Sequence, residues 1–205
     1  MRPDKEGAWS THPPSDLSGP AATAFSALFD DVHDDLVRFC ARRTDTASAE
    51  DVAADALLTA WRRFDDAPLS HDGRRAWVYG IARNQLLNAA RSAGRRGALA
   101  VRMTKTAPLP SGVTEDEAVL RADLSAAWAR LTPAQQEVLA LTVWDGLDAT
   151  QAGAVLDISA LAYRLRLSRA RKALRAHLHL TASPARVTSP GPSRTTTTPC
   201  EGASR

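Results

Sequence analysis

The residues best suited to chemistry are the arginines between 159 and 175. In LDATQAGAVLDISALAYRLRLSRAR (147–171) a short helical stretch, a tight turn and a basic helix follow one another. That order is the pattern of a helix-turn-helix, whose second helix enters the DNA major groove. An arginine there can fork onto a guanine edge or hold a backbone phosphate. Arg164, Ser168, Arg171 and Arg175 recur at helical spacing and should share one face, and Leu161 offers an apolar contact. The competing reading is a scaffold helix whose basic face is merely solvated. Enzymatic chemistry finds little support. The histidines are scattered at 12, 33, 71, 177 and 179, with no phosphate-binding glycine loop and no metal-ligand cluster. No catalytic residue, metal or cofactor is therefore expected. Cys40 falls on an apolar stripe and reads as a small buried hydrophobe, and Cys200 as an incidental thiol near the end of the chain.

Charge is distributed in blocks that the net +3 conceals. Residues 1–72 carry a net −7, residues 73–114 a net +8 without one acid, residues 115–157 a net −6, and residues 158–200 again +8 without an acid. Two basic surfaces, each beside an acidic one, suit a nucleic-acid binder with two contact sites. No apolar run approaches the roughly 18 residues of a membrane span, and the N-terminus lacks a signal-peptide core, so the chain is expected in the cytoplasm. Alanine, leucine and arginine abound while β-branched runs are absent, which points to an all-α fold.

Periodicity divides the chain into two small helical domains with disordered ends. Residues 1–22 carry four prolines and read as disordered. Helices are expected from about Phe25 to Cys40, from a Ser48 cap to Phe64, and from about Arg75 to Ser92, making a first domain over 23–97. Residues 98–115, with Pro108, Pro110 and Gly112, read as a flexible linker. The second domain, 116–180, holds a helix at about 116–130, one that Thr132 and Pro133 start, a short helix at about 148–155, and a last helix capped by Ser159. The tail, 181–205, is too rich in Pro, Ser and Thr to build a core and is expected to be disordered.

Two stretches carry a family resemblance. AEDVAADALLTAWRRF (49–64) precedes WVYGIARNQLLNAARSAGRR (77–96), and the helix-turn-helix follows at the right separation. This order resembles the extracytoplasmic-function class of the sigma-70 family of bacterial RNA polymerase sigma factors. Ala49, Glu50, Asp51, Ala60, Trp61 and Arg62, then Trp77, Ile81, Ala82, Arg83, Asn84 and Arg91, match the family's second region. Leu131, Val138, Leu139 and Leu141, then Leu156, Ile158, Ser159, Arg166, Leu167, Arg169, Ala170 and Arg171, match its fourth. The departures are Ala54-Asp55 for Gln-Glu, Leu57 or Leu58 for Phe, Asn88 for Asp, Gly153 for Ala, Asp157 for the turn Gly, and Ala162, Tyr163 and Leu165 for Thr, Val and Ser. Gly153 inside a helix is expected to cost about 1 kcal/mol against alanine. Aspartate tolerates the left-handed conformation that the turn demands.

The resemblance implies a factor that docks on core RNA polymerase and directs it to promoters. The helix 49–64 would meet the clamp helices of the largest subunit through Glu50, Asp51, Asp55, Trp61 and Arg62, although Trp61 fits core packing equally well. Trp77, Arg83, Asn84, Asn88 and Arg91, with Arg95 and Arg96 for phosphates, would handle the minus-ten element. Trp77 reads as core before it reads as a stacking platform. Ser159, Arg164, Arg166, Arg169, Arg171 and Arg175 would read the minus-thirty-five duplex. The implied partners are polymerase core, promoter DNA and an anti-sigma factor. The rival reading is a helix-turn-helix regulator whose first domain is a protein-interaction module, but such a regulator has no need for the two first-domain motifs.

Overall fold

The computed structural model describes residues 19–92, 101–102 and 114–181. Expectations for the rest of the N-terminal segment, the linker and the tail, and for Arg95, Arg96 and Cys200, lie outside those residues. The described residues are helical, without strands. The helices are α1 (Pro20–Ala41), α2 (Thr46–Arg62), α3 (His71–Ser92), α4 (Glu115–Ala129), α5 (Pro133–Val143), α6 (Ala149–Val155) and α7 (Ala160–Thr181), with a 3-10 turn at Phe64–Asp66 between α2 and α3.

Three helices make the first domain because each has one apolar stripe. Leu28, Val32, Leu36 and Phe39 line α1, and Val78, Ala82 and Leu86 line α3. The α2 stripe is Leu57 with four alanines, Ala49, Ala53, Ala56 and Ala60, whose small side chains let its neighbours approach closely. Cys40 is buried as expected, and burial pushes its thiol up to about 12. The second domain packs α4, α5 and α6 on α7. Tyr163 sits at its centre, fully buried, where its hydroxyl donates to the Val138 carbonyl (2.7 Å) and meets the Thr142 hydroxyl (2.7 Å).

Several boundaries differ from those read in the sequence. Pro20 stands in the first turn of α1, where its missing N–H costs nothing, so the helix begins before the apolar stripe and 20–22 belong to it. The α2 cap is Asp45, whose carboxylate accepts from the Ser48 N–H at 2.9 Å. Ser48 is therefore inside the helix. α3 starts at His71, four residues before Arg75. In the second domain the two expected caps hold: Thr132, in a capping box with Gln135, and Ser159, whose hydroxyl accepts from the Ala162 N–H at 3.2 Å; Asp148 with Gln151 adds a third cap not read in the sequence.

The turn of the helix-turn-helix explains two departures from the family pattern. Asp157 has φ +55°, the left-handed conformation expected of it. Gly153 is not the weakness that helix propensity suggests. A Cβ there would lie 2.8 Å from the Ile158 carbonyl oxygen, and the Ile158 N–H donates to the Gly153 carbonyl at 2.9 Å. The turn thus folds directly over a missing side chain. Gly80, in α3, has nothing within 4 Å of the same position. Gly80→Ala should stabilise the chain by roughly 0.5–1 kcal/mol. Gly153→Ala should destabilise it by about 1–3 kcal/mol, because backbone must move. Urea midpoints of the two variants check this, and equal signs would contradict the close approach.

The two domains touch. α3 packs against α6, and one buried cluster runs through both domains. Val101, within the expected flexible linker, is buried in that contact. Its carbonyl accepts from Trp128 Nε1 (2.9 Å), its N–H donates to Gln136 Oε1 (3.3 Å), and the Arg102 N–H donates to the Arg42 carbonyl (2.9 Å). An apolar side chain with both backbone groups satisfied is held in place, so this part of 98–115 is a strap between the domains.

Candidate nucleic-acid interface

Helix α7 carries no acid among its 22 residues. Tyr163, Leu167 and Ala170 turn inward and fix its rotation. All six expected contacts, Ser159, Arg164, Arg166, Arg169, Arg171 and Arg175, are exposed. They do not form one strip. Arg164, Ser168, Arg171 and Arg175, at i, i+4, i+7 and i+11, share one flank of the exposed arc. Arg166 and Arg169 lie toward the other. Between the flanks stand Leu161, 74% exposed, and Leu165, 52% exposed. Leu165 stands out in the sequence only as a departure from the family's Ser and is not among the assigned contacts. Its signal is a leucine four residues after Leu161 that the inward stripe has no use for.

Helix α3 divides its expected contacts differently. Trp77, Asn84, Asn88 and Arg91, at i, i+7, i+11 and i+14, occupy one face. Asn84, Asn88 and Arg91 are exposed and Trp77 is partly buried, packed on the core. Arg91 Nη2 donates to Asn88 Oδ1 at 2.7 Å, which orients the amide. Arg83 stands apart from them. It points to the second domain, where its guanidinium forks onto Glu137 of α5 (Nε–Oε1 2.8 Å, Nη2–Oε2 3.3 Å).

Helix α2 presents Glu50, Asp51, Asp55 and Arg62 to solvent. Trp61 is half-buried against Phe25 (ring centres 4.9 Å apart), so it packs and also borders the surface. Beside it an open groove of about 500 Å³ lies between α1 and α2, lined among others by Phe25, Phe29, His33, Leu57, Leu58 and Trp61. Phe29 is 39% and Leu58 44% exposed. An apolar groove beside a helix that also exposes acids has the composition of a protein-docking surface. Phe29 and Leu58 are parts of it that the sequence reading did not assign.

Among the described residues no group of three or more His, Cys, Asp or Glu could hold a metal, and no helix is long and apolar enough to cross a membrane.

Known proteins show the same organisation. The Sigma-70 region 2 family matches residues 28–96, and the Sigma-70 region 4 family matches residues 121–174. The ECF RNA polymerase sigma factor SigL of Mycobacterium tuberculosis is 32% identical over 166 residues, which cover 78% of this chain and 93% of SigL. Among solved structures, the sigma factor RpoE in complex with the anti-sigma factor NepR, from Bartonella quintana, has the same fold. Its TM-score is 0.57 at 23% identity, over 77% of this chain and 98% of that one. CnrH, in complex with the cytosolic domain of CnrY, aligns with a TM-score of 0.50 at 25% identity, over 78% of this chain and 90% of that one. With both regions matched in order and a relative spanned almost end to end, the chain belongs to the extracytoplasmic-function sigma factors, non-enzymatic initiation factors that bind RNA polymerase and direct it to promoters.

Proposed function

We propose that the three exposed faces divide the work of initiation. α7 enters the major groove of the minus-thirty-five element. Leu161 and Leu165 face base edges, where they suit thymine methyl groups. Arg164, Arg171 and Arg175 hold phosphates on one wall of the groove, and Arg166 and Arg169 on the other, with Ser159 at the helix start. The observation that carries this reading is the exposed leucine pair with cationic side chains on both flanks.

The α3 face of Trp77, Asn84, Asn88 and Arg91 serves the opened minus-ten strand. Its amides read a base edge, and Arg95 and Arg96, further along the chain, neutralise phosphates. α2 docks on the clamp helices of the largest polymerase subunit. The Phe29–Leu58 groove supplies apolar contact there, and Glu50, Asp51, Asp55 and Arg62 steer encounter and fix orientation. A factor working on polymerase and promoters belongs in the cytoplasm. An anti-sigma factor covering these faces is the third partner, by analogy with the relatives that bind NepR and CnrY.

Pull-down of polymerase core tests the docking face. Phe29→Ala combined with Leu58→Ala should cost about 1–2 kcal/mol of unfolding free energy per site, less than a core truncation, since both side chains are only half-buried. Core affinity should fall at least about tenfold, as for the loss of an interface anchor. Unchanged core binding by a folded variant would remove the groove from the docking surface.

A further inference from the structure

Where the domains meet, one aspartate meets three guanidinium groups, two at its carboxylate and one at its main-chain carbonyl. Asp145, in the turn between α5 and α6, has a wholly buried side chain. Arg42 bonds one of its oxygens, and Arg43 Nη2 bonds the other at 3.1 Å. Arg75, in the first turns of α3, donates to the Asp145 carbonyl (3.2 Å) and to Asp35 (3.2 Å). All three arginines belong to the first domain, and the first domain also builds their seat. The Arg43 guanidinium stacks 3.6 Å from the Phe39 ring centre and donates to the Phe39 carbonyl at 3.0 Å. Arg43 is wholly buried, and burial lowers its pKa while Asp145 opposes that shift.

The cluster has more capacity than its occupant uses. The Nε groups of Arg42, Arg43 and Arg75 are all buried without a hydrogen-bond partner among the described residues. Among the described residues, Asp35 is the one first-domain acid bonded to these three arginines, and it also holds Arg38. With Asp145 withdrawn, the first domain would therefore present a cationic pocket with unused N–H donors. Further along α3, Arg83 is covered by a second acid from the second domain, Glu137. A phosphate diester carries the same single charge as a carboxylate and offers two oxygens to the same guanidinium forks.

The contact also conflicts with promoter reading. α7 packs on α6, and α6 on α3. That keeps α3 and α7 within roughly 20 Å of each other, at up to about 10 Å per packed pair. The elements they read are about 25 base pairs apart, roughly 85 Å of duplex at about 3.4 Å per step. The contact between α3 and α6 must therefore open before both elements are engaged, and opening uncovers the pocket.

We propose that Arg42, Arg43 and Arg75 form a binding site for a backbone phosphate of promoter DNA, which Asp145 fills in the closed chain, so that closure and DNA binding at this site exclude each other. This rests on the sigma-factor function, but its test does not need polymerase. The full chain and its Asp145→Asn variant are titrated with a fluorescein-labelled 12-nucleotide single strand and a 20-base-pair duplex of mixed sequence at several salt concentrations. X-ray scattering reports domain separation. Asp145→Asn should enlarge the radius of gyration and bind at least one probe about threefold to tenfold more tightly. Its log–log salt slope should be steeper by about 0.7–0.9 for each phosphate gained. Adding Arg42→Gln and Arg75→Gln, both at partly exposed side chains, should return affinity and slope to the wild-type values.

An expanded Asp145→Asn chain with unchanged affinity and slope would overturn the phosphate site, and a chain as compact as wild type would overturn the role of Asp145. If that variant does not fold, the wild type decides the matter. Saturation with either probe should enlarge its radius of gyration, and a bound but unexpanded complex would overturn the proposal. Failure of the wild type to support transcription with polymerase would count against the sigma-factor function and leave these readouts intact.

Discussion

Arg164→Ala combined with Arg171→Ala should weaken binding to promoter duplex about a hundredfold at moderate salt. Both side chains stand on one flank of α7, exposed and about two turns apart, where a helix in the major groove meets the backbone. A charge-assisted contact to a phosphate at about 1.4 kcal/mol is worth a factor of about ten, and the two contacts multiply. The mechanism leaves a second signature. Each lost phosphate contact releases one condensed counterion fewer, so the slope of log affinity against log salt should flatten by about 0.9 per arginine. Leu161→Ala should behave in the opposite manner, with an unchanged salt slope and a loss confined to promoters with a thymine at the contacted step. Titration by fluorescence anisotropy at three or more salt concentrations separates the two. A double variant whose affinity falls without any change in slope would show that these arginines hold no phosphate.

Phe39→Ala should destabilise the first domain by about 3–5 kcal/mol, enough to leave much of it unfolded at ordinary temperatures. The ring is fully buried among α1, α2 and α3 and meets Tyr79 edge-on, with centres 5.0 Å apart. Its removal opens a cavity and also takes away the surface on which the Arg43 guanidinium lies at 3.6 Å. Arg43 is a buried cation, so loosening its seat adds to the cavity term. Phe29→Ala, nearly three turns earlier on the same helix, should cost only about 1–2 kcal/mol, because that ring is already 39% exposed. Urea unfolding followed by helical circular dichroism gives both values. Similar costs at the two positions would contradict the division between a core face and a docking face on α1.

The helices were legible because their apolar stripes are regular. Tyr163, Leu167, Ala170 and Leu174 alone fix the phase of α7, and with it the flank on which each arginine stands. The start of α1 was not legible, because Pro20 to Ala24 offer no large apolar residue and proline reads equally well as a loop. Asp45 and Ser48 are both cap-type residues, and only the observed bond to the Ser48 N–H decides between them. Gly153 was misread for a different reason. Propensity weighs a residue within its own helix, whereas Gly153 is set by the Ile158 carbonyl five residues on, after the chain has turned back.

The domain contact left the faintest trace. Arg43 and Asp145 are 102 residues apart, and Arg83 and Glu137 are 54 apart. Each looks in the sequence like one more member of a charge block. The block pattern did carry the larger fact, that acids and bases are segregated. It could not say that acids from the third block close over arginines from the first and second. Val101 was hidden similarly, as a lone apolar residue in a stretch read as linker.

Sequencing the transcripts made on sheared genomic DNA by core polymerase, with and without this protein, tests its central function most directly. The expected result is a set of start sites absent with core alone, sharing two upstream sequence blocks at the minus-ten and minus-thirty-five distances. The minus-thirty-five block should lose its influence when Arg164 and Arg171 are replaced. A transcript profile indistinguishable from that of core alone would contradict the assignment.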